Sequence, residues 1–88
     1  MIYAHIYDYM IHAEGAFRKF IDDNDKIVKI RRAGTQLIAY LQNGDEHHFM
    51  SASVFQRWRL GRTYMIGDTL CHSGMPVKRG DNDVKLDG

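Results

Sequence analysis

The dipeptide Asn43-Gly44 constrains this chain more than any other feature. It sits between two alternating runs, residues 35–42 and 45–50. Asn-Gly is the strongest short-range hairpin signal, because a type I′ turn needs positive φ at two successive positions. A second break, Ala33-Gly34, separates residues 35–42 from another period-two run at 26–32. Three sequential antiparallel strands are therefore predicted. With two-residue turns at both breaks, Val28 and Ile30 share a face with Leu37, Ala39, Leu41, His48 and Met50. The opposite face carries Ile27, Lys29, Arg31, Gln36, Ile38, Tyr40, His47 and Phe49. The first face is nearly all hydrocarbon, and the second mixes aromatic, aliphatic and basic groups.

Ahead of the strands, Ile2, Ile6, Met10, Ala13, Phe17, Phe20 and Ile21 recur every three or four residues. That spacing predicts one long amphipathic helix from the start of the chain to the Asp22-Asp23-Asn24-Asp25 cluster. Its apolar arc suits the hydrocarbon sheet face, which gives a predicted core of Ile6, Met10, Phe17, Val28, Ile30, Leu37, Ala39 and Leu41. Tyr3, Tyr7 and Ile11 widen the arc beyond what one small sheet covers. They are the candidate homodimer or partner interface, since tyrosine orders at low entropic cost. After the strands, Ser53-Val54-Phe55-Gln56 has the form of a capping box opening a short helix that stops at Gly61. Residues 63–66, 69–72 and 75–78 read as short strands, and 79–88 as a polar, flexible tail. The expectation is an α+β domain over 1–78: an antiparallel β-meander, a long N-terminal amphipathic helix and a second short helix.

Such a chain has little room for chemistry. At 88 residues and 10.2 kDa the core is small. The one cysteine, Cys71, excludes an internal disulfide and any multi-cysteine zinc site. Cys71 and His72 are neighbours on a predicted strand, where side chains diverge, so Cys71 reads as a small apolar residue. His47 and His48 diverge in the same way. On the predicted helix His5 and His12 stand about 10 Å apart along the axis, too far to share an ion. Asp8 and His12 supply two ligands with no third. Asp81-Asn82-Asp83 lacks the spacing of a calcium loop. No phosphate loop or nucleophile elbow is present. The expectation is a protein without catalytic residues, metal or cofactor.

The formal net charge of +1 conceals blocks. Cations concentrate in residues 18–32 and 47–62, and no acid lies between Glu46 and Asp68. This disfavours both an acidic nucleic-acid mimic and a histone-like polycation. The N-terminus shows neither a basic leader nor an uninterrupted apolar run, so a cytoplasmic protein without a membrane span is expected. Arg57, Trp58, Arg59 and Arg62 combine the residue types richest in interface energy. They are the candidate site for a protein target. The alternative is a nucleic-acid platform of Lys29, Arg31, Tyr40, His47 and Phe49, with rings stacking on bases and cations meeting phosphates. The leading expectation is a non-catalytic protein-binding module, an inhibitor or regulator that works by occupying a surface. Phage-type anti-defence factors such as anti-CRISPRs are examples of that strategy.

Overall fold

The computed structural model describes residues 1–74 of the chain. The chain runs β1 (Ile2–Tyr7), α1 (Met10–Asp23), β2 (Ile27–Ala33), β3 (Gln36–Leu41), β4 (Glu46–Ser51), α2 (Ala52–Trp58), β5 (Thr63–Ile66) and β6 (Thr69–His72). The strands form one sheet in the order β2-β3-β4-β1-β5-β6. β1 lies parallel to both β4 and β5, and the remaining pairs are antiparallel. The fold is thus α+β with a mixed sheet, where the sequence suggested a plain meander. The predicted strand at 75–78 and the tail at 79–88 lie outside the described residues.

The largest correction concerns the first residues, which form a strand and not the first turns of a helix. Ile2, Ile6 and Met10 are four apart, a spacing that satisfies period two as well as period 3.6. As one of the two central strands, β1 is covered on both faces, so its alternating sets are aliphatic (Ile2/Ala4/Ile6) and aromatic (Tyr3/His5/Tyr7), and no charged solvent face marks the period of two. Asp8 and Tyr9 break the strand. α1 then starts without a side-chain cap, with the N–H groups of His12 and Ala13 donating to the Tyr9 carbonyl. α1 leaves the carboxyl end of β1 over one sheet face, and α2 leaves the carboxyl end of β4 over the other.

Two clusters form the core. On the α1 side Ala13 and Phe17 pack against Leu37, Ala39 and Phe49. On the α2 side Ala4, Met50, Trp58 and Tyr64 pack together, with Val54, Phe55 and Cys71 around them. Phe17, Leu37 and Ala39 are buried as expected, while Ile6, Met10 and Leu41 are only partly so.

The β3–β4 register departs from expectation by one residue. Leu41 N–H donates to the Asp45 carbonyl, leaving three residues in the turn with Gly44 at φ +91°. A three-residue hairpin with glycine in the left-handed position moves β4 one step and flips every side chain. Leu37 therefore faces Phe49, and Ile38 faces His48. The β2–β3 turn does have two residues, Gly34 and Thr35, with Gly34 at φ +60°. A β-bulge follows between Ile27 and Lys29, so Ile27 opposes Leu41 and joins the α1-side core. Val28 is left over, 62% exposed, and Ile30 on the edge strand is 42% exposed. Neither is core. In α2 the cap is Ser51, whose Oγ accepts from Val54 N–H, two positions before the predicted capping box.

Candidate binding surfaces

The helices cover the sheet incompletely, and they leave opposite corners open. α1 packs on β4, β3 and β1, while α2 packs on β4 and β1 from the other side. Neither helix packs extensively on β2, nor α2 on β3, although Ile38 on that face of β3 is buried; at the other end of the sheet α1 does not pack extensively on β5–β6.

The first corner is cationic. Register places Lys29, Tyr40 and Glu46 in one row across β2, β3 and β4, and Arg31, Ile38 and His48 in the next. Lys29 Nζ lies 5.4 Å from the centre of the Tyr40 ring, a cation–π contact. Elsewhere on this side, Arg57 and Arg62 line a groove of about 270 Å³ that reaches the start of β3. Thr35, Gln36, His48 and Trp58 also line it, with no acidic residue in the wall. Arg62 is held in place, its Nε–H donating to the Trp58 carbonyl and its guanidinium 4.9 Å from the indole centre. Glu46 is the one acid in these rows, and its carboxylate is bonded to His48 Nε2 at 3.0 Å. Burial pushes the His48 imidazole below its ordinary pKa, Glu46 opposes that shift, and Arg62 adds to it.

The structure divides the residues singled out from sequence. Arg57 and Arg62 share the groove rim. Trp58 is buried against His48, Phe55 and Tyr64, so it anchors α2 and presents little surface. Arg59 turns away, its Nη1 donating to Ser73 Oγ at 3.3 Å. The five-residue aromatic-basic platform does not assemble. Lys29, Arg31 and Tyr40 face the α2 side, whereas His47 and Phe49 face α1, because the longer Asn43-Gly44 turn flips β4. Phe49 is buried against Phe17 and His5, leaving no face for a base. Tyr3 and Tyr7 lie on β1. Ile11 is 73% exposed on α1, two positions from core-facing Ala13 and so on the far side of the helix. These three do not form one surface.

An aromatic column under the end of α1 was not legible from sequence. Tyr3 stacks on His47 at 4.6 Å, and His5 stacks on Phe49 at 4.3 Å, with Phe20 against both histidines. His5 Nε2 and His47 Nδ1 are 2.9 Å apart, sharing one hydrogen bond that needs one nitrogen protonated and the other bare. Burial, followed by the charges of His47 and His48, lowers the His5 pKa to about 4. His47 is lowered as well, chiefly by burial. The only clue lay in the strand parity of His5 and His47, which the helical reading of β1 concealed.

The second corner is neutral. Ile30, Ala39, His47, Tyr3, Met65 and Leu70 form one row across all six strands on the α1 side. The helix covers the middle of that row, and Leu70 at its end is 61% exposed. Thr63 and His72 pair in the neighbouring row, joined by an Oγ1···Nδ1 hydrogen bond of 2.8 Å.

Among the described residues no group of three His, Cys, Asp or Glu side chains is placed to hold a metal ion. No described helix is long and apolar enough to cross a membrane. No family model, no curated protein and no solved structure matches the chain.

Proposed function

We propose that this protein is a non-catalytic binding module that inhibits or regulates another protein by occupying its surface, as phage-type anti-defence factors do. One observation carries the reading: Lys29 and Arg31 of β2 lie on the same side of the sheet as the groove lined by Arg57 and Arg62, whose wall holds no acidic residue, and Glu46 is the one acid in the β2–β4 rows. Such a field accelerates encounter with an acidic protein surface and fixes its orientation. Arginines at a preformed groove supply planar, bidentate donors for carboxylates. The target is therefore a protein with an acidic face. The ring needed for base stacking at position 49 is buried, and Tyr40 is already covered by Lys29, which weakens the nucleic-acid alternative.

Photo-crosslinking from position 57 in an extract of the native host tests this. A specific protein adduct that survives nuclease treatment, and that is lost in Lys29→Glu, is expected. Adducts that disappear with nuclease would overturn the reading in favour of nucleic acid.

A further inference from the structure

We infer that the outer edge of β2 receives an extended, acidic segment of the partner protein as an additional strand of the sheet. This rests on the protein-binding reading above and specifies how the partner is held. Among the described residues β2 pairs only with β3, so its other edge has no strand beside it. In a two-residue hairpin the residues closing the turn exchange both hydrogen bonds, and the pattern then alternates. Ala33 closes the turn with Gln36, so Ala33, Arg31 and Lys29 bond inward to β3. The backbone N–H and C=O groups of Ile30 and Arg32 then point outward, where a strand would meet them.

Side chains specify the occupant. Lys29 and Arg31 lie on the α2 side of β2, and Ile30 and Arg32 on the α1 side. Arg32 also places its guanidinium 5.6 Å from the centre of the Phe17 ring. No acid occurs in β2. A second copy adding antiparallel across this edge would bring the Lys29, Arg31 and Arg32 charges against their equivalents, and like charges across strands are destabilising. Cations on an edge guard against exactly that kind of self-pairing. The same cations favour an incoming strand that carries carboxylates toward Lys29 and Arg31, with apolar residues beside half-exposed Ile30. The bulge at Val28 ends the usable edge, because it disrupts the regular ladder there.

The probe is a capped peptide alternating glutamate and valine over the length of β2, followed by amide chemical shifts of the full chain. Saturable shifts centred on Ile30–Arg32 are expected, with the corresponding lysine–valine peptide giving none. Ile30→Pro removes one outward N–H and leaves the inward ladder intact, a substitution edge strands tolerate. It should weaken the peptide about tenfold, the equivalent of ~1.4 kcal/mol, while Ile30→Ala costs markedly less. If Ile30→Pro does not fold, slowed hydrogen exchange at Ile30 and Arg32 on adding peptide to the unaltered chain replaces it. No saturable shift, shifts centred on Arg57 and Arg62, or equal affinity for both peptides would overturn strand addition. Those outcomes leave the crosslinking from position 57 untouched, so the two failures are separable.

Discussion

The two open corners belong to one sheet, yet they are built for opposite kinds of contact. At β2–β3 the exposed groups are Lys29 and Arg31, backed by Arg57 and Arg62. At β5–β6 they are Leu70, Thr63 and His72, beside Met65 and Tyr3. A cationic corner repels its own copy, acts over a Debye length of about 8–10 Å and weakens with salt. A neutral apolar corner exerts no long-range force, tolerates its own copy, and gains with buried area regardless of salt. The difference shows that leaving sheet uncovered is not one property. What the uncovered strand carries decides which partner it admits.

Both corners depend on the covered centre, and the largest expected effect lies there. Phe17 is fully buried between Phe49 and the strands. Phe17→Ala should cost about 3–5 kcal/mol, a large part of the stability of a domain this size. Urea unfolding measures it. An unchanged midpoint would mean that α1 does not cover the centre, and the contrast between the corners would fall with it.

Acid provides the second test, and it bears on the strip between the corners. His5 and His47 sit on the α1 side and His48 on the α2 side, all with pKa values pushed below the ordinary 6.5 by burial. A lowered imidazole pKa means that the unfolded chain binds protons the folded chain refuses. Stability is therefore intact above pH 6.5, and falls as pH drops from 6.5 toward about 4, where His5 also titrates. Each ~1 kcal/mol lost lowers Tm by roughly 4–8 °C for a domain of this length. Thermal melts from pH 7 to pH 4 should show the decline, and His5→Phe should flatten it. A flat profile in the unaltered chain would show that the His5–His47 contact is solvated.

Much of the architecture was legible because turn chemistry is local. The strands at 63–66 and 69–72 matched the sequence expectation, as did all three meander strands to within a residue at each end, since Gly34, Gly44 and Gly67 each announce their turn. Register was not legible, because Asn43-Gly44 accommodates two- and three-residue hairpins alike. That single residue of difference separated His47 and Phe49 from Lys29, Arg31 and Tyr40. The identity of β1 was hidden by burial on both faces, a property of the finished fold. Of the candidate sites, the arginines at 57 and 62 were legible as charge. That they share a groove with Thr35 and Gln36 depends on the packing of α2 on the sheet and was not.

The neutral corner makes the next prediction. If it is a self-contact, sedimentation at micromolar concentrations should show reversible association that persists at high salt. Leu70→Asp should abolish it, with little change in stability because Leu70 is largely exposed. Association that dissolves with salt would assign the contact to the cationic corner and reverse the comparison.

The smallest effect on the fold belongs to Arg57, and for that reason it is the sharpest test of the cationic corner. Arg57 is exposed in the last turn of α2 and lines the groove without a described ion-pair partner. Arg62 is less suitable, because its guanidinium also covers the Trp58 ring and its loss would disturb α2 itself. Arg57→Glu should therefore leave the unfolding midpoint within about 0.5 kcal/mol of the parent. It should place a carboxylate within the field of Lys29, Arg31 and Arg62, and reverse the preference of the groove for acidic ligands. The cost to partner binding should appear mainly as slower association, measured by surface capture kinetics at low and high salt. Parent and variant should converge as salt rises, because screening removes the steering that distinguishes them. A variant that associates as fast as the parent at low salt would show that the corner's charge serves solubility alone.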